Sequence, residues 1–204
     1  GLEIGLNGYM TSANSLDMPT GYEFMELDYP RSFNFSLNPF QQSVSLIGQR
    51  LGLVTGLGFR WNNYRFDKDM VISADSIFAG VNEGDPNKDY IKSKLTSVYV
   101  TVPLLLEFQT NHKHNMNSFH ISAGVIGGLR LMSYSKMVYR TDGGGKSKPK
   151  NYDNYFLQPF VLDATARIGW GDLNLYATYS LIEMFRENKG PELYPFSVGF
   201  VLPF

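Results

Sequence analysis

The stretch "LGLVTGLGFRW" at residues 51–61 separates by parity. Leu51, Leu53, Thr55, Leu57, Phe59 and Trp61 form one set, and Gly52, Val54, Gly56, Gly58 and Arg60 form the other. Successive strand side chains point to opposite faces. This segment therefore reads as a strand with one broad apolar face and one glycine-rich face that carries an arginine. The same period recurs along the chain. In "KLTSVYVTVPLLLEF" (94–108), Val98, Val100, Val102, Leu104, Leu106 and Phe108 oppose Ser97, Tyr99, Thr101 and Glu107. In "FHISAGVIGGLRL" (119–131) the apolar set opposes His120, Ser122, Gly124, Gly128 and Arg130. In "FVLDATARIGW" (160–170) it opposes Asp163, Thr165, Arg167 and Gly169.

These patterns predict strands over 2–12, 48–62, 68–81, 93–109, 117–138, 155–170, 173–184 and 194–204, with 68–81 the weakest, and no helix. The connections alternate in size. "NNYRFDK" (62–68), "TNHKHNMN" (110–117) and Gly171-Asp172 are short. "NEGDPNKDY" (82–90), "RTDGGGKSKPKNYDN" (140–154) and "RENKGPELYP" (186–195) are longer and polar. Such alternation predicts an all-β fold: a closed antiparallel up-and-down β-barrel of eight strands, forming a single domain over 1–204. Both termini then lie at the short-turn end, and residues 13–47 form one long first loop. Within that loop "RSFNFSLN" (31–38) also alternates, which keeps ten strands open as the alternative.

Composition decides which face meets which medium. Charged residues are 18% of the chain, below the roughly 25% of soluble domains. Mean hydropathy is −0.19, a value that averages the two faces of each strand and does not exclude a membrane barrel. No apolar run is long enough for a spanning helix, and no signal peptide is visible, so an exported form would be a trimmed chain. The minor face holds Gly, Ser, Thr, Asn and Tyr with isolated charges, which suits a narrow bore filled by side chains. The apolar face then meets lipid, making the barrel transmembrane. Trp61, Phe108, Phe119, Trp170 and Phe204 fall at the short-turn end of their expected strands and form an aromatic girdle. Phe78, Phe160 and Phe196 supply part of the opposite girdle. A soluble β-barrel holding a lipid or other apolar ligand is the alternative.

The final segment "VGFVLPF", with Phe200, Leu202 and Phe204 in alternate positions, looks like the C-terminal signal of bacterial outer-membrane barrels. That likeness implies the barrel-assembly machinery as a partner. "SVYVTVPLLLEFQT", "FHISAGVIGGLRL" and "DLNLYATYSLIEMF" resemble the PorT-like family of small outer-membrane β-barrels over roughly residues 48–204. The resemblance implies outer-membrane localisation and eight strands. It implies no single activity and carries no functional residue.

Candidate chemistry is sparse, and we expect no enzyme, no metal and no cofactor. His120 faces the bore near the short-turn end and reads as a packing residue. A lipid-modifying membrane enzyme is the less favoured reading. His112 and His114 in "NHKHN" could share a metal but read as a solvated turn. The bore charges Arg60, Glu107, Arg130, Asp163 and Arg167 should form a network that plugs the barrel, because unpaired buried charges are costly. Arg60, Glu107 and Arg167 are expected at one lower level, with Glu107 paired to Arg60 or Arg167, and with Tyr99 and Tyr176 filling space. "GGGKSKPK" (143–150) places Lys146, Lys148 and Lys150 on a solvated tip that could meet lipopolysaccharide phosphates or a surface partner. Outer-membrane lipid is the expected surrounding, and a net charge of −1 argues against nucleic acid.

Overall fold

A computed structural model of the chain describes residues 1–47, 50–67, 71–73, 80–82, 88–110, 119–141, 146–171 and 173–202. Eight long strands carry the architecture: β1 (Leu2–Thr11), β2 (Phe33–Ile47), β3 (Leu51–Arg65), β6 (Lys88–Gln109), β7 (Phe119–Thr141), β10 (Phe160–Trp170), β11 (Leu173–Ser180) and β12 (Leu193–Leu202). Each pairs antiparallel with the next, β12 pairs with β1, and β7 pairs with β10, so the sheet closes on itself. Four short strands lie outside the ring. β4 (Val71–Ser73) and β5 (Gly80–Asn82) pair only with each other. β8 (Lys146–Ser147) and β9 (Lys150–Tyr152) extend the outer part of β7.

The ring is staggered. From Leu2 the register runs through Leu37, Phe59, Val100 and Leu129 to Phe160 on β10. From the adjacent Glu3 it runs the other way, through Val201 and Asn174, to Gly169 near the opposite end of the same strand. This offset tilts the strands, as closure of a small barrel requires.

Eight strands are as expected, but one differs in identity. Residues 33–47 are not part of a first loop. They form β2, between β1 and β3, and the open connection shrinks to residues 12–32. Pro39 sits in an irregularity between Leu37 and Phe40. Its ring cannot donate a ladder hydrogen bond, and the extra residues reset the alternation, which breaks the strand signal. The described parts of the expected strand 68–81 lie outside the ring, in the β4–β5 ribbon, and its other residues lie outside the described ones. "NNYR" (62–65) is not a turn either. It continues β3, with Tyr64 buried inside and Arg65 on the outer wall. Above a bilayer both faces of a strand can be polar, so composition there looks like a loop.

This exchange reverses the direction of β3. Its Leu51 end lies at the short-turn end beside Phe108, and its Arg65 end lies at the long-loop end. Trp61 therefore belongs to the upper aromatic band, where it packs against Phe35 and Phe59 at ring-centroid distances of 5.6 and 6.3 Å. Phe108, Phe119 and Trp170 do share the short-turn end, with Phe119 opposite Trp170. Phe78 and Phe204 lie outside the described residues.

The two faces separate as the pattern requires. Leu57, Leu104, Val125, Leu175 and Phe200 are exposed on the outer wall, with Leu104 at 49%. Leu53, Val100 and Ala164 on the same face are partly exposed. The opposite set, with Val54, Gly58, Tyr99, Ser122 and Tyr176, is buried. On β6 the apolar outward positions run from Phe108 up to Val98, which is covered and pairs with Trp61. With a rise of about 3.3 Å per residue and a tilt of roughly 40°, that run stands about 25 Å tall, the height of a lipid belt.

Inward glycines let the strands crowd. A Cβ on Gly124 would lie 2.1 Å from the Leu104 carbonyl oxygen and 2.8 Å from the Leu105 Cα, both backbone atoms that side-chain adjustment cannot move. Gly124→Val is expected to destabilise the barrel by roughly 1–3 kcal/mol, as overpacking of a full interior does. Urea unfolding followed by tryptophan fluorescence would measure it.

Candidate functional site

The bore gathers charges from several strands. From β3, Arg60 reaches across to Asp163 on β10; the two form a direct ion pair, each residue about 5% exposed. One level lower, Arg167 Nη2 on β10 donates to Glu3 Oε1 on β1 at 2.6 Å. Asn38 Nδ2 donates to the same carboxylate oxygen at 3.3 Å. Between these pairs the Tyr176 hydroxyl donates to Asn34 Oδ1 at 2.5 Å, and Thr178 and Ser197 share a 2.5 Å hydrogen bond. Small side chains make room for this layer: Ser36, Ser97, Thr101 and Thr165 are all buried. An internal cavity of about 30 Å³ remains beside Arg60, Tyr99 and Asp163. That is room for about two waters.

The two pairs differ from the arrangement that parity alone suggested. Arg60 stands opposite Tyr99 on β6, whereas Glu107 stands opposite Gly52 at the short-turn end. Arg60 is thus far above Glu107 and level with Asp163, and neither bore pair includes Glu107. The cause is the reversed direction of β3. Arg130 sits at the upper end and joins no carboxylate pair there. It donates to the Asn154 carbonyl at 2.7 Å and to Asn154 Oδ1 at 3.3 Å, tying the connection before β10 to the wall. Tyr99 and Tyr176 fill the bore as expected. Glu3 is the bore charge that the sequence reading missed, and Asn34, Ser36 and Asn38 on β2 are bore residues it left in a loop. The position of Glu3 between the outward Leu2 and Ile4 was a usable signal.

Above the charges, the connections fold into the barrel mouth. Tyr9, Tyr64, Phe66, Leu95 and Leu193 from strands and their ends meet Met25, Leu27, Tyr155, Leu157, Met184 and Phe185 from the connections in one buried cluster. The short 3-10 turns Glu23–Met25 and Tyr29–Arg31 shape the first connection. The Tyr9 hydroxyl donates to the Met25 carbonyl, and isolated bridges join Leu27 to Phe66 and Leu157 to Phe185. The Tyr155 hydroxyl donates to the Asn151 carbonyl and shares a hydrogen bond with the Ser135 hydroxyl, both at 2.8 Å. These connections are therefore not only polar outward segments. Their apolar residues pack inward, like a small soluble core.

The remaining candidates are placed as follows. His120 lies on the bore side near the short-turn end, over Gly169, where a Cβ would come within 2.2 Å of its Nε2. This is a packing position. His112 and His114 lie outside the described residues. Lys146 and Lys150 are not on a free tip: Lys146 pairs with Arg140 and Lys150 with Lys136 in the β7 extension. The segment read as a solvated tip from its composition, but the edge of β7 offers backbone partners to residues 146–147 and 150–152. Phe200 and Leu202 are exposed on the outer face of β12, the strand that closes the ring against β1.

Comparison with known proteins gives one result. A family model described as outer membrane protein beta-barrel domain matches residues 1–186. No curated protein and no solved structure matches the chain.

Proposed function

We propose that this chain, which belongs to the outer membrane protein beta-barrel domain family, is a structural or interaction protein anchored in the bacterial outer membrane, with a closed bore and no enzymatic activity. The observation that carries the proposal is the filling of the bore. Among the described residues, two ion pairs, a layer of hydrogen-bonded Ser, Thr, Asn and Tyr side chains and an apolar cluster in the mouth fill the bore, with a cavity of about 30 Å³ beside Arg60 and Asp163. An ion needs a continuous hydrated path, and this packing argues against one. Asp163 and Glu3, the carboxylates of the two bore ion pairs, are each held by an arginine. Such groups serve packing rather than acid–base chemistry.

The same reading assigns the partners. Lipid surrounds the apolar wall, the barrel-assembly machinery engages β12, and the connections at the long-loop end face the cell exterior. The likeness to PorT-like barrels is part of this proposal and not of its support. Planar-bilayer recording of the purified, refolded protein tests it. We expect no steady conductance across a range of applied voltages. A stable large channel in the wild-type protein would reject the closed bore and restore a transport role.

A further inference from the structure

A cleft of about 370 Å³ opens on the outer wall of the barrel near the long-loop end. Five lysines line it: Lys92, Lys94, Lys136, Lys146 and Lys148. Strand parity places them outside. Ser93 and Leu95 are buried inward on β6, and Ser133 and Ser135 on β7, while Lys92, Lys94 and Lys136 alternate with them. Lys94 stands in register with Lys136 on one side and Arg65 on the other. The height is also set by register. Trp61 and Val98 are paired in the upper aromatic band, and Lys94 lies one tilted four-residue step above them, about 10 Å. That is the level of lipid headgroups, where cationic side chains meet anionic lipid.

The electrostatics are one-sided. No carboxylate is among the described residues lining the cleft. Arg31 and Arg65 also line it, but each meets Asp28, at 3.0 and 3.6 Å. Among the described residues none of the five lysines has an ion pair. Lys94 donates to Asn63 Oδ1 at 3.3 Å and is repelled by Lys136 and Lys150. A row of like charges on one rim raises the local potential, and a bound anion lowers it. The floor is apolar, made by Phe33, Ile91 and Val138. Phe33 is exposed and is followed down β2 by Phe35, which packs on Trp61. Phe33 thus joins the lining of the cleft to the lipid-facing wall below it.

We propose that this cleft binds the phosphorylated headgroup of an anionic lipid of the surrounding outer leaflet, with phosphate among the lysines and an acyl chain descending over Phe33 toward Trp61. The inference rests on the membrane-anchored reading above and adds a specific lipid site to it. The occupant is a lipid because Phe33 joins the charged part of the cleft to the apolar belt. An acidic protein segment or a soluble anion would use the charges and leave the apolar floor empty.

The full chain, refolded in detergent, would be titrated with bis-phosphorylated lipid A, phosphatidylcholine or inorganic phosphate, and bound lipid counted by native mass spectrometry. Heat-modified gel mobility would confirm a folded barrel for every protein used. We expect one tightly held lipid A, preferred over phosphatidylcholine by about tenfold or more. In Lys94→Gln/Lys136→Gln/Lys146→Gln that preference should fall about tenfold, since each lysine near an anionic surface contributes substantially. Lys189→Gln, which removes a cation resting on the Phe156 ring elsewhere, should leave it unchanged. Equal binding of phosphatidylcholine, or retention of lipid A selectivity by the triple variant, would overturn the site. So would displacement of lipid A by millimolar inorganic phosphate, which would mark a soluble-anion site. Failure of the wild-type chain to insert into vesicles would overturn the membrane reading and this site with it. Insertion without lipid selectivity would overturn the site alone.

Discussion

Asp163→Ala is expected to be among the most damaging single substitutions in the bore. Its carboxylate is the ion-pair partner of Arg60, and both side chains are almost wholly removed from solvent. Removing it leaves a guanidinium buried among Tyr64, Tyr99 and Tyr176 without its ion-pair partner, and the next carboxylate, Glu3, is already held by Arg167. Breaking a buried pair from one side costs about 3–5 kcal/mol, whereas replacing both partners by apolar groups of similar size is often neutral. Arg60→Met/Asp163→Leu should therefore recover most of what Asp163→Ala loses. Urea unfolding of the three proteins in detergent or vesicles, followed by tryptophan fluorescence, would check this. A single variant as stable as wild type would mean that Arg60 finds water or another acceptor, and that the bore is wetter than its packing indicates.

Leu104→Arg is the second large effect, and it separates two media rather than two side chains. Leu104 is half exposed in the isolated chain and lies mid-way along the apolar run from Val98 to Phe108. On the surface of a soluble barrel such a substitution would change stability by less than about 0.5 kcal/mol. At the middle of a bilayer, an arginine on the lipid face of a barrel costs about 2–4 kcal/mol. The expected result is a clear loss of stability in vesicles and a smaller one in detergent, where the micelle can deform around the charge. Lys94→Arg, above the belt, should be silent in both. Indifference of the barrel to Leu104→Arg in vesicles would contradict a lipid-facing wall.

Much of this molecule is legible in one dimension, and particular residues show why. Two-residue alternation is a local property, so the sets led by Leu57 and by Gly58 separate without knowledge of any neighbour. The hairpin between β10 and β11 is equally local: Trp170 pairs with Leu173, and Gly171 takes a positive φ of 56° that its lack of a Cβ permits. Closure, the even strand number, and the outward position of Leu104 and Phe200 follow from such signals. What fails is anything that depends on a partner distant in the chain. Whether "FNFSLNPFQQSVSLI" is strand or loop depends on β1 and β3 supplying hydrogen bonds to both its edges. Composition alone ranks it below the weaker segment 68–81.

Register is the second non-local quantity, and it decides the site. Arg60 and Asp163 are 103 positions apart, and Arg167 and Glu3 are 164 apart. Each pair meets because a staggered ring brings those levels together, and one mistaken turn moves Arg60 from the top of the bore to the bottom. The inward packing of Met25, Leu27, Leu157 and Phe185 is decided the same way, by a barrel mouth that exists only after closure. The sequence by itself determined the two faces, the all-β antiparallel fold and the medium each face prefers, because those follow from side chains alternating along a single strand. The tertiary structure alone decided which polar stretches became strand, which charges became partners and where the lysines of the outer rim converge, because each requires backbone or side-chain atoms from strands that only ring closure makes neighbours.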